Sequence, residues 1–215
     1  MKSGCLRRAA DRAGIWFGTA CSPESIESDK RYRATLAREF NCIVAENCMK
    51  FMYVHPQRRT YDFTQADKLV AFARTHGLHL RGHTLVWHVQ LPEWVTTGRY
   101  SRSEALDIMQ EHIFTVMGHF RGQSRVPFRI TRGPVSLSAD SGPAVFCWDV
   151  INEALSDDGG WRTKSFWYES IGPDFLDYAF RWARQADPAA ELIYNDYGME
   201  LPGKKSDACY RMLRG

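Results

Sequence analysis

Apolar residues along this chain fall into two alternating rhythms. Short continuous runs rich in β-branched and aromatic residues occur at 14–20 (GIWFGTA), 42–47 (CIVAEN), 78–87 (LHLRGHTLVW), 146–154 (FCWDVINEA) and 191–198 (ELIYNDYG). Runs of this length and composition predict buried strands. Between them, apolar residues return every three or four positions, the helical period. These stripes are Tyr32, Leu36 and Phe40; Phe63, Ala66, Val70 and Ala73; Leu106, Met109, Ile113, Val116 and Phe120; and Phe175, Leu176, Ala179 and Trp182. A short helix over 6–12 precedes the first strand, a helix-like segment follows Gly159 and Gly160, and a last helix begins near Lys205.

Punctuation agrees with that reading. Ser28 or Asp29 can cap the first striped helix, while Thr64 with Asp67 and Ser101 with Glu104 read as capping boxes. Gly77 suits a helix stop, Pro173 a helix start, and Asp187-Pro188 an end. The order is strand then helix, five times, with no hairpin signal, which predicts an α/β fold with a parallel sheet.

Polar and aromatic residues collect at the ends of successive strands: Glu46, His83, Trp87, Glu153 and Asn195. A doubly wound sheet gathers its site at one switch point, whereas a closed (β/α)8 barrel draws on strand after strand. The barrel fits better, with about five of its eight βα units in this chain of 215 residues, read as one partial domain. Strands one and five would then be exposed edges, so the isolated chain is expected to fold poorly or to aggregate. Residues 123–145 break the rhythm without any helical period, where loops in α/β units run to about 2–6 residues. An irregular insert is expected there, either a genuine loop or a retained intron.

Composition narrows the function. With 44% hydrophobic and 25% charged residues, the chain can bury a real core. Its net charge of +3 is small and scattered, and Arg7, Arg8 and Arg12 read as one solvated helix face, so no nucleic-acid partner is expected. No run approaches the roughly 18 apolar residues of a membrane span, and the start has no apolar signal-peptide core. The six cysteines lack C-x-x-C spacing and read as buried thiols, with one disulfide left open. His83 and His88 lack metal-ligand spacing, and neither a glycine-rich phosphate loop nor a G-x-S-x-G elbow occurs. No metal or cofactor is expected.

Glu153 is the first candidate for chemistry. A carboxyl group held against apolar surface has its neutral form favoured, which is what a general acid near neutral pH requires. Asn152 beside it can donate to a substrate hydroxyl, and Trp87 or Tyr197 can offer a flat face to a sugar ring. The plainer reading of Asn152 and Glu153 is the start of a loop. For Trp94, Trp148 and Trp182 core packing is favoured.

Four motifs together resemble glycoside hydrolase family 10: Glu46, Asn47 and Lys50 in ENCMK; GHTLVWHVQLPEW; WDVINEA; and YNDYG. That family comprises retaining endo-1,4-β-xylanases on a (β/α)8 barrel. The resemblance implies that Glu153 is the general acid/base and that Asn152 bonds the 2-hydroxyl of the sugar at the cleaved bond. It implies that Glu46, Asn47 and Lys50 grip the neighbouring sugar, that His83, Trp87 and Gln90 line the cleft, and that Asn195 positions the catalytic pair. The expected partner is xylan or a xylo-oligosaccharide, for a secreted protein that is monomeric when complete. Two features depart from the pattern. The strand-seven motif that supplies the nucleophile, roughly T-E-hydrophobic-D, is absent, and Gly198 stands where an asparagine is usual. The resemblance therefore implies an incomplete or mis-assembled xylanase, with a catalytically inactive carbohydrate-binding fragment as the alternative. An unrelated barrel enzyme acting on phosphorylated metabolites is disfavoured, since no phosphate loop is present.

Overall fold

A computed structural model gives the structure of the protein and describes residues 4–121 and 145–214. The chain begins with α1 (Leu6–Ala13), β1 (Gly18–Cys21), α2 (Pro23–Ser28), α3 (Lys30–Glu39), β2 (Cys42–Ala45), α4 (Phe51–Val54) and α5 (Thr64–His76). It continues with β3 (His79–Trp87), α6 (Glu93–Thr96), α7 (Arg102–Arg121), β4 (Val145–Asn152), α8 (Phe166–Ile171), α9 (Phe175–Ala186), β5 (Glu191–Asn195) and α10 (Lys204–Arg214). All five strands are parallel and pair in the order β1-β2-β3-β4-β5. Every strand therefore ends on the same side of the sheet, and those ends carry the candidate residues.

The two faces of the sheet differ in chemistry. Along β3 the side chains alternate, with Leu80 and Thr84 buried while His79, Arg81 and His83 are half-buried on the opposite face. Leu80 joins Ile43, Trp148 and Val150 in a core closed by Leu69, Val70 and Ala73 of α5 and Met109, Ile113, Val116 and Phe120 of α7. The apolar stripe of α7 is thus its buried face. Each such side chain contributes about 1.5–3 kcal/mol on leaving water. On the other face Cys42, Phe146 and Cys147 pack with Trp16 and Ile193 into a smaller apolar floor.

Several boundaries follow the caps. Asp29 Oδ1 accepts from the amides of Arg31 (2.8 Å) and Tyr32 (3.0 Å) to start α3. Ser101 and Glu104 form the reciprocal capping box, with the Ser101 amide 2.8 Å from Glu104 Oε2 and the Glu104 amide 3.4 Å from Ser101 Oγ. Gly77 ends α5 at φ 58°, a conformation costly for most other residues.

Other expectations are corrected. The pair Thr64 and Asp67 is no capping box: the Asp62 carboxylate takes the Thr64 amide (2.9 Å), and Asp67 faces His119 at 2.7 Å. The first strand starts at Gly18 rather than 14, because Gly14 is the left-handed cap of α1. β2 stops at Ala45, β4 at Asn152 and β5 at Asn195, each earlier than the apolar run suggests. The helix expected after Gly160 begins at Phe166, where Ser165 supplies the cap, and α9 begins at Phe175 rather than Pro173. The short helices α2, α4 and α6 escaped the period argument, being too brief to show one. Of the expected insert, 123–144 lies outside the described residues, and Val145 already belongs to β4.

Arg7 is also not on a solvated face. Its guanidinium donates to the carbonyls of Ala37 (3.0 Å), His76 (3.0 Å) and Gly77 (2.6 Å), satisfying the carbonyl ends of α3 and α5. All six cysteines are free thiols. No described helix is long and apolar enough to cross a membrane.

Beneath α4 lies a buried histidine pair, with His55 Nδ1 and His112 Nδ1 3.4 Å apart and Phe51 stacked on His112 at 3.8 Å. Burial, assisted by Arg58, pulls His55 down to about 4, and burial pulls His79 down to about 4 as well. Burial, with His55 beside it, also holds His112 well below the usual histidine range. The folded state thus resists protonation that the unfolded chain accepts near its ordinary pKa of about 6.5. Stability from these groups is present above pH 6.5 and is lost as pH falls from there toward 4, by roughly 1.4 kcal/mol per unit for each histidine. Urea titrations at pH 7 and pH 4.5 test this. The midpoint is expected to fall at the lower pH with an unchanged slope, and equal midpoints would refute it.

Candidate active site

The end of β4 makes an abrupt turn. Glu153, directly after the strand, has φ 55°, which ends the extended backbone. Three groups hold that turn. The Glu153 amide donates to Asn195 O (2.9 Å), Arg162 Nε donates to Glu153 O (3.1 Å), and the Ala154 amide donates to the Tyr194 hydroxyl (3.2 Å). Tyr194 passes its own proton toward Asp196 Oδ2 at 2.6 Å, and Lys205 Nζ lies 2.8 Å from Asp196 Oδ1. Burial and the Asp196 carboxylate push the Tyr194 hydroxyl well up, so it remains a protonated donor. Among the described residues, the non-glycine positions with positive φ are Arg59, Gln90 and Glu153. Each costs about 1–3 kcal/mol, a penalty that clusters at functional sites. Two of the three are candidate site residues.

Around the Glu153 carboxylate the predicted residues converge. Trp87 Nε1 donates to Glu153 Oε2 at 3.1 Å, and the Trp87 carbonyl accepts from Trp167 Nε1 at 2.9 Å. Lys50 Nζ lies 4.9 Å from the centre of the Trp87 ring, within cation–π range. It also donates to Asn47 Oδ1 at 3.1 Å, and Gln90 Nε2 reaches the same oxygen at 3.3 Å. Asn47, Lys50, Trp87, Gln90 and Glu153 therefore form one connected group. Burial pulls the Lys50 ammonium down, against the opposing pull of Glu46 and Glu153. Behind Trp87, burial and then Arg162 lower His88, favouring a neutral ring.

A second group lies on the sheet face beneath. Asp149, 1% exposed, receives Arg81 Nε at 3.0 Å and Arg81 Nη2 at 2.6 Å, while its other oxygen meets His83 Nδ1 at 2.8 Å. The carboxylate can only accept, so His83 carries its proton on Nδ1. Arg81 Nη2 also reaches Asn195 Oδ1 at 2.9 Å, and Asn195 Nδ2 reaches Asn152 Oδ1 at 2.7 Å. Arg81, His83, Asp149 and Asn195, with Glu46, Val44 and Ala20, line a cavity of about 290 Å³. Glu46 is exposed at its rim.

Tyr197 stands in a third cluster. Lys205 Nζ covers its ring at 3.4 Å, and its hydroxyl takes a bond from Arg162 and donates to Asp157. One ring face is thereby occupied, leaving less aromatic surface than the sequence promised. Trp148 is buried as expected, and Trp94 and Trp182 pack against the core. The sequence reading missed Arg81, Arg162, Tyr194 and Lys205, and gave Asp149 no partner. One signal for Arg81 was available: a charge two residues from His83, on the same face of an otherwise apolar strand.

Residues 5–215 match the profile of glycosyl hydrolase family 10. The chain belongs to glycosyl hydrolase family 10. It is 39% identical over 211 residues to endo-1,4-beta-xylanase B of Thermotoga neapolitana, covering 97% of this chain and 55% of that protein. Endo-1,4-beta-xylanase 1 of Humicola insolens is 36% identical, covering 99% and 45%. Among solved structures, xylanase 10B of Thermotoga petrophila in complex with xylobiose superposes with a TM-score of 0.86 at 39% identity, covering 100% of this chain and 59% of that one. An intracellular xylanase of Thermoanaerobacterium saccharolyticum superposes at 0.84 with 32% identity, covering 100% and 63%. The chain thus spans about half the length of these family 10 relatives. Its five parallel strands are βα units of the family's barrel architecture. Because one family 10 relative is an intracellular enzyme, membership alone does not imply secretion.

Proposed function

We propose that the chain carries the acid/base half of a retaining endo-1,4-β-xylanase site. Glu153 protonates the departing glycosidic oxygen and later deprotonates the attacking water. Asn152 holds the 2-hydroxyl of the sugar at the cleaved bond. Glu46, Asn47, Lys50, His83, Trp87 and Gln90 grip the sugars on the donor side, Asn195 positions Asn152, and Tyr197 borders the cleft. The observation that carries this reading is the Glu153 carboxylate itself. It is presented on a left-handed turn at a strand end, with Trp87 bonded to one oxygen and the other left for a proton transfer. Two similar proteins crystallised with xylobiose and xylotetraose support the substrate class.

Retention also needs a second carboxylate about 5–5.5 Å from the first. Asp149 is engaged by Arg81 and His83, and Asp196 by Tyr194 and Lys205, so neither is free to attack a sugar. The chain alone is therefore expected to bind without turnover. Calorimetric titration should give xylobiose a Kd of about 1 mM, equivalent to about 4 kcal/mol, weakened about tenfold by Trp87→Ala. Incubation with xylan should release no reducing sugar. Release that disappears in Glu153→Gln would assign the nucleophile to a carboxylate of this chain, and absence of binding by folded protein would overturn the sugar site.

A further inference from the structure

Arginine presents five N–H donors and no acceptor. The Asn195 atom 2.9 Å from Arg81 Nη2 must therefore be its oxygen, which turns the Asn195 NH2 group toward Asn152. That NH2 can only donate, so the Asn152 atom 2.7 Å away must be oxygen. The Asn152 NH2 group is then what remains for a ligand. This assignment follows from the chemistry of the guanidinium, whichever way either amide is drawn. Arg81 cannot turn away to release the chain, because Asp149, 1% exposed, holds it by two nitrogens at 2.6 and 3.0 Å.

We propose that Arg81 is a positioning residue that sets the polarity of Asn152 through Asn195, so that Asn152 meets a ligand only as a hydrogen-bond donor. The proposal rests on the sugar-binding reading for its ligand, a neutral hydroxyl oxygen. The relay itself does not need that reading. A glutamine at 81 can both donate and accept, so both asparagines are free to flip. A lysine at 81 still only donates, so the polarity survives although the fork is lost.

Two readouts test this. In the first, side-chain amide NMR of Asn195 and Asn152 is compared in the parent, Arg81→Lys and Arg81→Gln. The Asn195 NH2 protons should show contacts to Asn152 and slow exchange in the parent and the lysine variant, and should lose both in the glutamine variant. Unchanged signals in Arg81→Gln would overturn the relay. In the second, affinities are compared for xylobiose and its analogue with fluorine in place of the 2-hydroxyl of the reducing-end sugar, which can accept but not donate. The parent and Arg81→Lys, which present the Asn152 NH2, should bind the two within about threefold. Asn195→Asp, whose carboxylate takes that NH2 and turns the Asn152 oxygen to the ligand, should disfavour the fluorinated sugar by about tenfold or more. A structural role alone would weaken both ligands together and keep their ratio, which would also refute the proposal. If Arg81→Gln does not fold, Asn195→Asp replaces it. It keeps the acceptor for Arg81 but has no donor for Asn152, so the Asn152 NH2 protons should turn to position 195 and become the slowly exchanging pair. An unchanged Asn152 signal would refute the relay. Failure of the parent to bind either sugar would overturn the substrate reading, while the amide signals still decide the relay.

Discussion

Asp149→Ala is expected to destabilise the fold by about 3–5 kcal/mol, because it removes one partner of a buried ion pair and leaves the other. The Asp149 side chain is 1% exposed, while that of Arg81 is 32% exposed. Without the carboxylate, a guanidinium that is two-thirds buried loses its counter-charge, and His83 Nδ1 loses its acceptor. Against a typical domain stability of about 5–15 kcal/mol, such a loss leaves little margin. Denaturant titration is the measurement, with a control that separates charge from packing. Replacing both partners by apolar residues, as in Arg81→Met with Asp149→Leu, should cost far less than Asp149→Ala alone. An alanine variant within 1 kcal/mol of the parent would mean that water compensates the guanidinium.

Gly82→Ala is expected to cost about 3 kcal/mol, at the upper end for overpacking. A methyl group placed there would lie 2.3 Å from Trp148 Cε3 and 2.5 Å from Cδ2, well inside contact distance. Gly82 and Trp148 face each other across the β3–β4 pair. The indole is 1% exposed and has Phe120 5.7 Å beyond it, so it has little room to retreat. A double-mutant cycle gives the cleanest reading. Combined with Trp148→Leu, the alanine should cost at least 1 kcal/mol less than it does alone. Strict additivity would show that the ring moves aside freely.

Much of this architecture can be read from residue order. The runs that became β2 to β5, the stripe of α7, and the caps at Asp29, Gly77 and Ser101 all depend on neighbours within a few positions, where sequence carries the information directly. The strand-end residues around Glu153 were legible for the same reason, since a strand fixes where its last residue must lie. What was hidden depends on register and on backbone angles. The Arg81–Asp149 pair spans 68 positions and crosses a β3–β4 ladder with irregular register on both sides of it. Nothing local announces such a partner. The positive φ of Gln90 and Glu153 was equally invisible, because neither is a residue type that favours that region. Arg7 shows the opposite error, in which a charged residue was assumed to be solvated when distant carbonyls needed it.

Among the described residues, β1 pairs only with β2 and β5 only with β4, so each of these two strands has one edge without a partner strand. Each unpaired edge offers donors and acceptors on alternate residues, and an antiparallel copy of the same strand can meet them as well as the opposite rim can. Contact of an edge with its own copy is two-fold and closes as a dimer, whereas contact of β1 with β5 is head-to-tail. Head-to-tail contacts close only when the rotation per copy divides a full turn, and otherwise continue into filaments. The concentration dependence of any self-association through these rims therefore distinguishes the two, saturating at a dimer for like edges and growing without limit for unlike ones.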